Sequence, residues 1–222
     1  MSLTGQRIVV TRAKHQADEL IALIADAGGI PVVYPCINIA LPDDTTRIDT
    51  ALTNLSDYDW IVFTSTNTVE AIQKRLESLK ITIDLPHLKI AAVGSKTDKA
   101  ILDTSGKSAD FIPSQHTGKA LAQEIDVSAG ERILLPQSAL ADESLAEMLS
   151  NRGAKVTVVD AYRNIIGSGG DNVPALLRQN QIDAITFTSG STVNNFVERI
   201  APETAFDIPV ICIGSSSASV VV

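Results

Sequence analysis

Six short stretches of this chain gather hydroxyl, amide and cationic side chains where an apolar run stops. They are Thr11-Arg12, Thr64-Ser65-Thr66-Asn67, Gly94-Ser95-Lys96-Thr97, Gln137-Ser138, Thr188-Ser189-Gly190-Ser191 and Gly214-Ser215-Ser216-Ser217. Their neutral O–H and N–H donors can hold an anion without a matching cation. Any one stretch is accounted for by helix capping, since Ser, Thr or Asn at an N-cap stabilises a helix by about 1 kcal/mol. Six of them recurring along the chain point to an anion-binding cleft that suits a ligand with several carboxylates. Tyr162 stands apart. It follows the apolar run 156–159, and it joins a ring that can plug a junction to a phenol that can donate a proton.

Other chemistries lack their residues. No G-x-G-x-x-G follows a strand-like run, and Gly118-Lys119 is followed by Ala120 where a phosphate loop has Ser or Thr. His15, His87 and His116 fall in three separate loops without metal-ligand spacing, and Cys36 is far from Cys212. The nucleophile elbow G-x-S-x-G is absent. His15, His116, Lys14 and Lys99 read as solvated surface groups, and Lys96 has that reading beside the anion-binding one. No cofactor and no metal are expected.

The bulk composition narrows the partners. The 222 residues carry 18 basic and 26 acidic side chains, a net charge of −8, which disfavours nucleic acids and other partners held by phosphate neutralisation. Hydrophobic residues make up 45% and aromatics only 4%, so a globular core must be aliphatic. No apolar run approaches the ~18–20 residues that span a bilayer, and residues 1–10 lack the pattern of a signal peptide. Two distant thiols in apolar, strand-like surroundings fit a reducing cytoplasm.

The elements that position these residues repeat. Arg7-Ile8-Val9-Val10 returns 125 positions later as Arg132-Ile133-Leu134-Leu135, and the same shift pairs Leu20 with Leu145, Gly28 with Gly153 and Val33 with Val158. Each copy reads as strand, amphipathic helix, glycine cap, strand. A second unit, Asp59-Trp60-Ile61-Val62-Phe63-Thr64-Ser65, returns 124 positions later as Asp183-Ala184-Ile185-Thr186-Phe187-Thr188-Ser189, and the match runs on through Thr68-Val69 and Thr192-Val193. Ala92-Val93-Gly94-Ser95 then pairs with Cys212-Ile213-Gly214-Ser215. Continuous apolar strands of this kind belong to parallel sheets covered on both faces. The order is A-B-A-B, which predicts two similar α/β domains. After Gly94 the first copy continues through a helix, a strand over 109–112 and a helix over 117–125. After Gly214 eight residues remain, so the terminal domain is expected to lack its last strand and helix. The stretches around 36–47 and 159–172 are candidate linkers, although most such stretches are surface loops.

Taken together, these segments resemble the uroporphyrinogen-III synthase family. The carrying residues are Ile8-Val9-Val10-Thr11-Arg12, the run 59–69, Ala92-Val93-Gly94-Ser95-Lys96-Thr97, the run 134–145, Val158-Val159-Asp160-Ala161-Tyr162-Arg163, and 185–191 with Ile213-Gly214. The resemblance implies two flavodoxin-like domains with parallel sheets, joined by a two-stranded linker. One would combine 1–35 with 173–222, and 48–158 would form the inserted other. It implies cyclisation of the linear tetrapyrrole hydroxymethylbilane with loss of water and inversion of its last ring, without metal or cofactor.

Tyr162 would then assist departure of the hydroxyl. Thr97, Ser65, Ser189 and the loop after Gly214 would surround a substrate bearing eight carboxylates. The implied setting is a cytoplasmic monomer of tetrapyrrole biosynthesis that receives its substrate from hydroxymethylbilane synthase. Rival readings are a catalytically inactive tetrapyrrole- or anion-binding module on the same scaffold and a bilobal binder of an unrelated metabolite.

Overall fold

The computed structural model of the chain describes residues 2–82, 86–200 and 207–221. In chain order the strands are β1 (Arg7–Val10), β2 (Ile30–Val33), β3 (Ile37–Ala40), β4 (Trp60–Phe63), β5 (Lys89–Ala92), β6 (Arg132–Ser138), β7 (Lys155–Ile166), β8 (Ala184–Phe187) and β9 (Val210–Cys212). The helices are α1 (Asp18–Asp26), α2 (Thr46–Thr53), α3 (Thr66–Leu79), α4 (Ser95–Ser105), α5 (Gly118–Glu124), α6 (Ser144–Asn151), α7 (Val173–Arg178), α8 (Gly190–Ile200) and α9 (Ser215–Ala218). Two compact units result: unit 1 is Met1–Ile39 with Ile165–Val222, and unit 2 is Ala40–Asn164.

Unit 1 carries a parallel sheet in the order β2-β1-β8-β9, and the other sheet runs β3-β7-β6-β4-β5. The sequence repeat is reproduced in the hydrogen-bond register. Arg7 faces Ile30 in unit 1 as Arg132 faces Lys155 in unit 2. Ile8 faces Ala184 as Ile133 faces Trp60, and Ile185 faces Val210 as Ile61 faces Ile90. Even the entry to the sheet is duplicated. The Asp183 carboxylate accepts the Arg7 N–H at 2.6 Å, and the Asp59 carboxylate accepts that of Arg132 at 2.7 Å.

Burial on both faces explains why these strands lack alternation. Val9 enters a core with Ile185, Phe187 and Phe196, while Ile8 and Val10 enter a second one with Ala17 and Ile24. Phe196 meets Phe187 and Tyr34 edge-on, with ring centroids 5.4 and 5.8 Å apart. In unit 2, Val62, Ile133 and Leu135 pack beneath Leu121, Leu145 and Leu149. Gly28 and Gly153 close α1 and α6 at φ +85° and +93°, where the left-handed backbone favours glycine.

Three expectations change. The strand over 109–112 shrinks to a single bridge between Ala91 and Phe111. The Asp110 carboxylate takes the Ile90 N–H at 2.7 Å, and Pro113 has no N–H with which to extend a ladder. The stretch after Val159 is strand through Ile166, not the surface loop its composition suggests; β7 lies between β6 and β3 in the sheet, in keeping with the two-stranded connection that the resemblance implies. Cys212 is only partly buried, because β9 is an edge strand, and both thiols are free. Among the described residues, no helix is long and apolar enough to cross a membrane.

Candidate functional site

Every strand of a parallel sheet ends at the same edge, where the following helix begins with unpaired N–H groups. In unit 2, β4 ends at Phe63 and α3 starts at Thr66, so Ser65 becomes the N-cap. Its backbone is extended, at φ −157° and ψ 160°. Its Oγ accepts the Thr68 N–H at 3.2 Å and lies 3.0 Å from Thr68 Oγ1. Tyr162 reaches the same place from β7. The ladder pairs Gln137 with Asp160 but Ser138 with Tyr162, leaving Ala161 as an extra residue. Such a bulge reverses the alternation, so Tyr162 sits on the face opposite Asp160. Its hydroxyl is 3.5 Å from Ser65 Oγ, and its ring is 8% exposed. The Ala139 N–H donates to the Tyr162 carbonyl at 2.9 Å, holding the strand past the bulge.

The neighbouring helix start is α4. Its N-cap, Gly94, offers no side chain to the first turn, while Ser95 and Lys96 are exposed and Thr97 is buried. A Cβ on Gly94 would lie 2.8 Å from Cγ of His116, so glycine is required by close approach. His116 is exposed, as expected, with its ring lying against this helix entry. Thr64, Thr66 and Asn67 are partly buried around Ser65.

Gln137 and Ser138 border a cavity of about 700 Å³ that also touches Arg47, Glu143, Glu147 and Asp160. Three carboxylates against one guanidinium make these walls unsuited to a polycarboxylate. At the loop before α6, Asp142 accepts from the Ser144 hydroxyl and from its N–H at 2.9 Å. Those bonds hold its carboxyl below the usual carboxylate range.

Unit 1 repeats the Ser65 arrangement. Ser189 Oγ accepts the Thr192 N–H at 3.3 Å and lies 3.0 Å from Ser191 Oγ, while Thr192 Oγ1 donates to the Ser189 carbonyl at 2.6 Å. Thr188, Ser189 and Gly190 are partly buried, as is Arg12 after β1. Thr11 differs in kind. It is fully buried and gives its hydroxyl to the Thr186 carbonyl at 2.6 Å, and Thr186 donates in turn to the Val9 carbonyl at 2.8 Å. Ser217 is 3% exposed and its N–H donates to the Gly214 carbonyl. The side chains of Ser215 and Ser216, like that of His15, lie outside the described residues.

The structure thus brings Ser65 to Tyr162, and Ser189 to Ser191. Thr68 and Thr192 hold the two cap serines and were not among the expected site residues. Their signal was present, since the repeat extends through both positions.

A family model described as "Uroporphyrinogen-III synthase HemD" matches residues 18–221. The chain is 34% identical over 209 residues to the uroporphyrinogen-III synthase of Synechococcus elongatus, covering 92% of this chain and 78% of that one. It is 30% identical over 220 residues to the porphyrin biosynthesis protein HemD of Ruminiclostridium josui, covering 97% of this chain and 44% of that one. Among solved structures, a mutant uroporphyrinogen III synthase from Thermus thermophilus matches its fold with a TM-score of 0.62 at 17% identity, over 98% of this chain and 88% of that one. The uroporphyrinogen-III synthetase of Helicobacter pylori does so with 0.56 at 15% identity, over 97% and 87%. With a family model over most of its length, and a relative of that name 34% identical over most of both chains, the chain belongs to the uroporphyrinogen-III synthase family.

Proposed function

We propose that this chain converts hydroxymethylbilane to uroporphyrinogen III, closing the ring with loss of water and inversion of ring D. Membership of the family supports the reaction. The observation that carries the mechanism is the meeting of Tyr162 and Ser65 at the carboxyl end of the unit 2 sheet. The substrate is reactive by itself, and unaided closure gives the uninverted isomer I. The enzyme therefore has to hold the chain so that the other carbon of the last pyrrole attacks, through a spiro intermediate; this is catalysis by positioning. Tyr162 donates a proton to the departing hydroxyl as the electron-rich pyrrole expels it. Ser65 orients the phenol, and hydroxyls and N–H groups of Thr64, Thr66, Asn67 and Ser95–Thr97 in unit 2, and of Thr188–Gly190 in unit 1, receive carboxylates, with Lys96 and Arg12 as the cations beside them.

Nothing in this dehydration requires a redox partner or Lewis acid, so chelator-treated protein retains activity. The working form in this reading is a cytoplasmic monomer that takes hydroxymethylbilane from the synthase that makes it. The test supplies hydroxymethylbilane from a generating enzyme and separates the product isomers after oxidation. Isomer III is expected with this protein and isomer I without it. Isomer I alone, from folded protein, overturns the reading in favour of a binding module.

A further inference from the structure

The chain passes between the two units twice, and one side chain of unit 1 grips both passages at their roots. Arg199, on the last turn of α8, donates through Nη1 to the Pro35 carbonyl and through Nη2 to that of Gly169 at 2.9 Å. Its guanidinium lies 3.7 Å from the centroid of the Tyr34 ring, and the Tyr34 hydroxyl donates to the Arg199 carbonyl at 3.2 Å. One turn earlier, Asn195 Nδ2 donates to the Cys36 carbonyl at 2.8 Å, which also accepts the Gly167 N–H at 3.1 Å. The outgoing segment Pro35-Cys36 and the returning segment Gly167–Gly169 are therefore bolted to one face of one helix.

The approach is tight. A Cβ on Gly167 would fall 2.0 Å from the Pro35 oxygen, and one on Gly170 would fall 2.3 Å from that of Val33. Cys36 and Gly167 are buried at this contact while Gly169 stays at the surface, and burial pushes the Cys36 thiol up to about 12. At its other end α8 begins with the Ser189 loop, about 15 Å away along the helix. The continuous helix joins the two ends.

We propose that Arg199 is a positioning residue of the synthase reaction. It fixes both connecting segments to the helix that carries the Ser189 loop, and so sets the geometry in which the substrate closes without touching it. This role rests on the function proposed above. Arginine suits the task, since its planar fork can bond two carbonyls while its face stacks on an aromatic ring.

The test compares Arg199→Lys, Arg199→Met and Asn195→Leu with the parent chain. Lysine keeps the charge but is a point donor without the fork. Steady-state kinetics with the isomer ratio, thermal melting, and hydrogen exchange of segments 33–37 and 165–171 are read together. Expected for Arg199→Lys is a fall in kcat of about tenfold or more with little change in KM, as for a misplacement away from the chemistry. A larger share of isomer I and faster exchange in both segments accompany it. If Arg199→Met does not fold, Arg199→Lys and Asn195→Leu carry the same comparison. Unchanged kcat and isomer ratio in folded variants, whatever their melting temperatures, overturn the role alone, as does a rise in KM with kcat unaltered. A parent chain that yields only isomer I overturns the role together with the function on which it rests.

Discussion

Tyr162→Phe keeps the ring that fills the end of the unit 2 sheet and removes the hydroxyl that meets Ser65. Help from one positioned acid is typically worth 10²–10⁴ in rate, and a leaving group on an electron-rich ring needs the low end, so a loss of about ten- to a hundredfold in kcat is expected. The variant should melt as the parent does. Retained isomer III production would leave Tyr162 as a plug only. Ser65→Ala removes the α3 cap and should cost about 1 kcal/mol in denaturant unfolding, as should Ser189→Ala for α8. The two differ in rate. Ser65→Ala should add little to the kcat loss of Tyr162→Phe, since both break one hydrogen bond; additive losses would show that Ser65 acts on the substrate independently. The cap serines were legible in the sequence because capping is a local arrangement of side chain and next turn. The partnership of Ser65 with Tyr162 was not, since it depends on one unpaired residue, Ala161, that leaves no mark on composition. Arg199 was equally hidden, as its partners are backbone carbonyls that carry no sequence signature.

At the scale of elements, α2 is tied to α3 by a two-pronged pair. Arg75 donates through Nε to Asp49 Oδ1 and through Nη2 to Oδ2 at 2.6 Å, with both side chains largely covered. The Arg75 hydrogen bond is the main cause holding the Asp49 carboxyl below its ordinary value, with the Thr45 hydroxyl assisting. A lowered folded value makes the contribution fully present above the unfolded value of about 4, and lost as pH falls through the folded one. The stability gap between the parent and Asp49→Asn should therefore be widest near neutrality and shrink below about pH 4. Urea unfolding at several pH values checks this, and a gap independent of pH would reduce the pair to packing. The repeated elements themselves were readable from sequence, because a strand buried on both faces has to keep its apolar run, with Asp59 or Asp183 ahead of one repeated strand and Gly28 or Gly153 closing the helix after the other. The bridge at Phe111 and the length of β7 were not. Both depend on which neighbour occupies a strand edge, and that is decided by residues far away in the chain.

For the whole molecule, a net charge of −8 repels a polycarboxylate, so long-range attraction cannot be the main source of affinity. Product binding should weaken only modestly between low and moderate salt in a titration; a steep loss would reveal a basic patch acting at distance. The shared register of the two sheets has a further consequence, for the order in which the chain acquires structure. β1 and β6 present the same edge and the same aspartate socket, so before folding β8 has two near-equivalent neighbours, as does β4. The contest is unequal. The bond that closes β4 onto β6 spans 73 residues, and its twin between β8 and β1 spans 176. By loop length alone the shorter closure is favoured by about 0.8 kcal/mol, so unit 2 should form first and withdraw its own strands from competition. Once it has, the β3–β7 ladder brings together the two points where the chain leaves and re-enters unit 1. The long loop becomes two short tethers, and β1 meets β8 as if the insert were a turn. Pulse-labelled amides of β4 and β6 should gain protection ahead of those of β1 and β8, and substitutions that weaken β3 against β7 should slow the second phase more than the first.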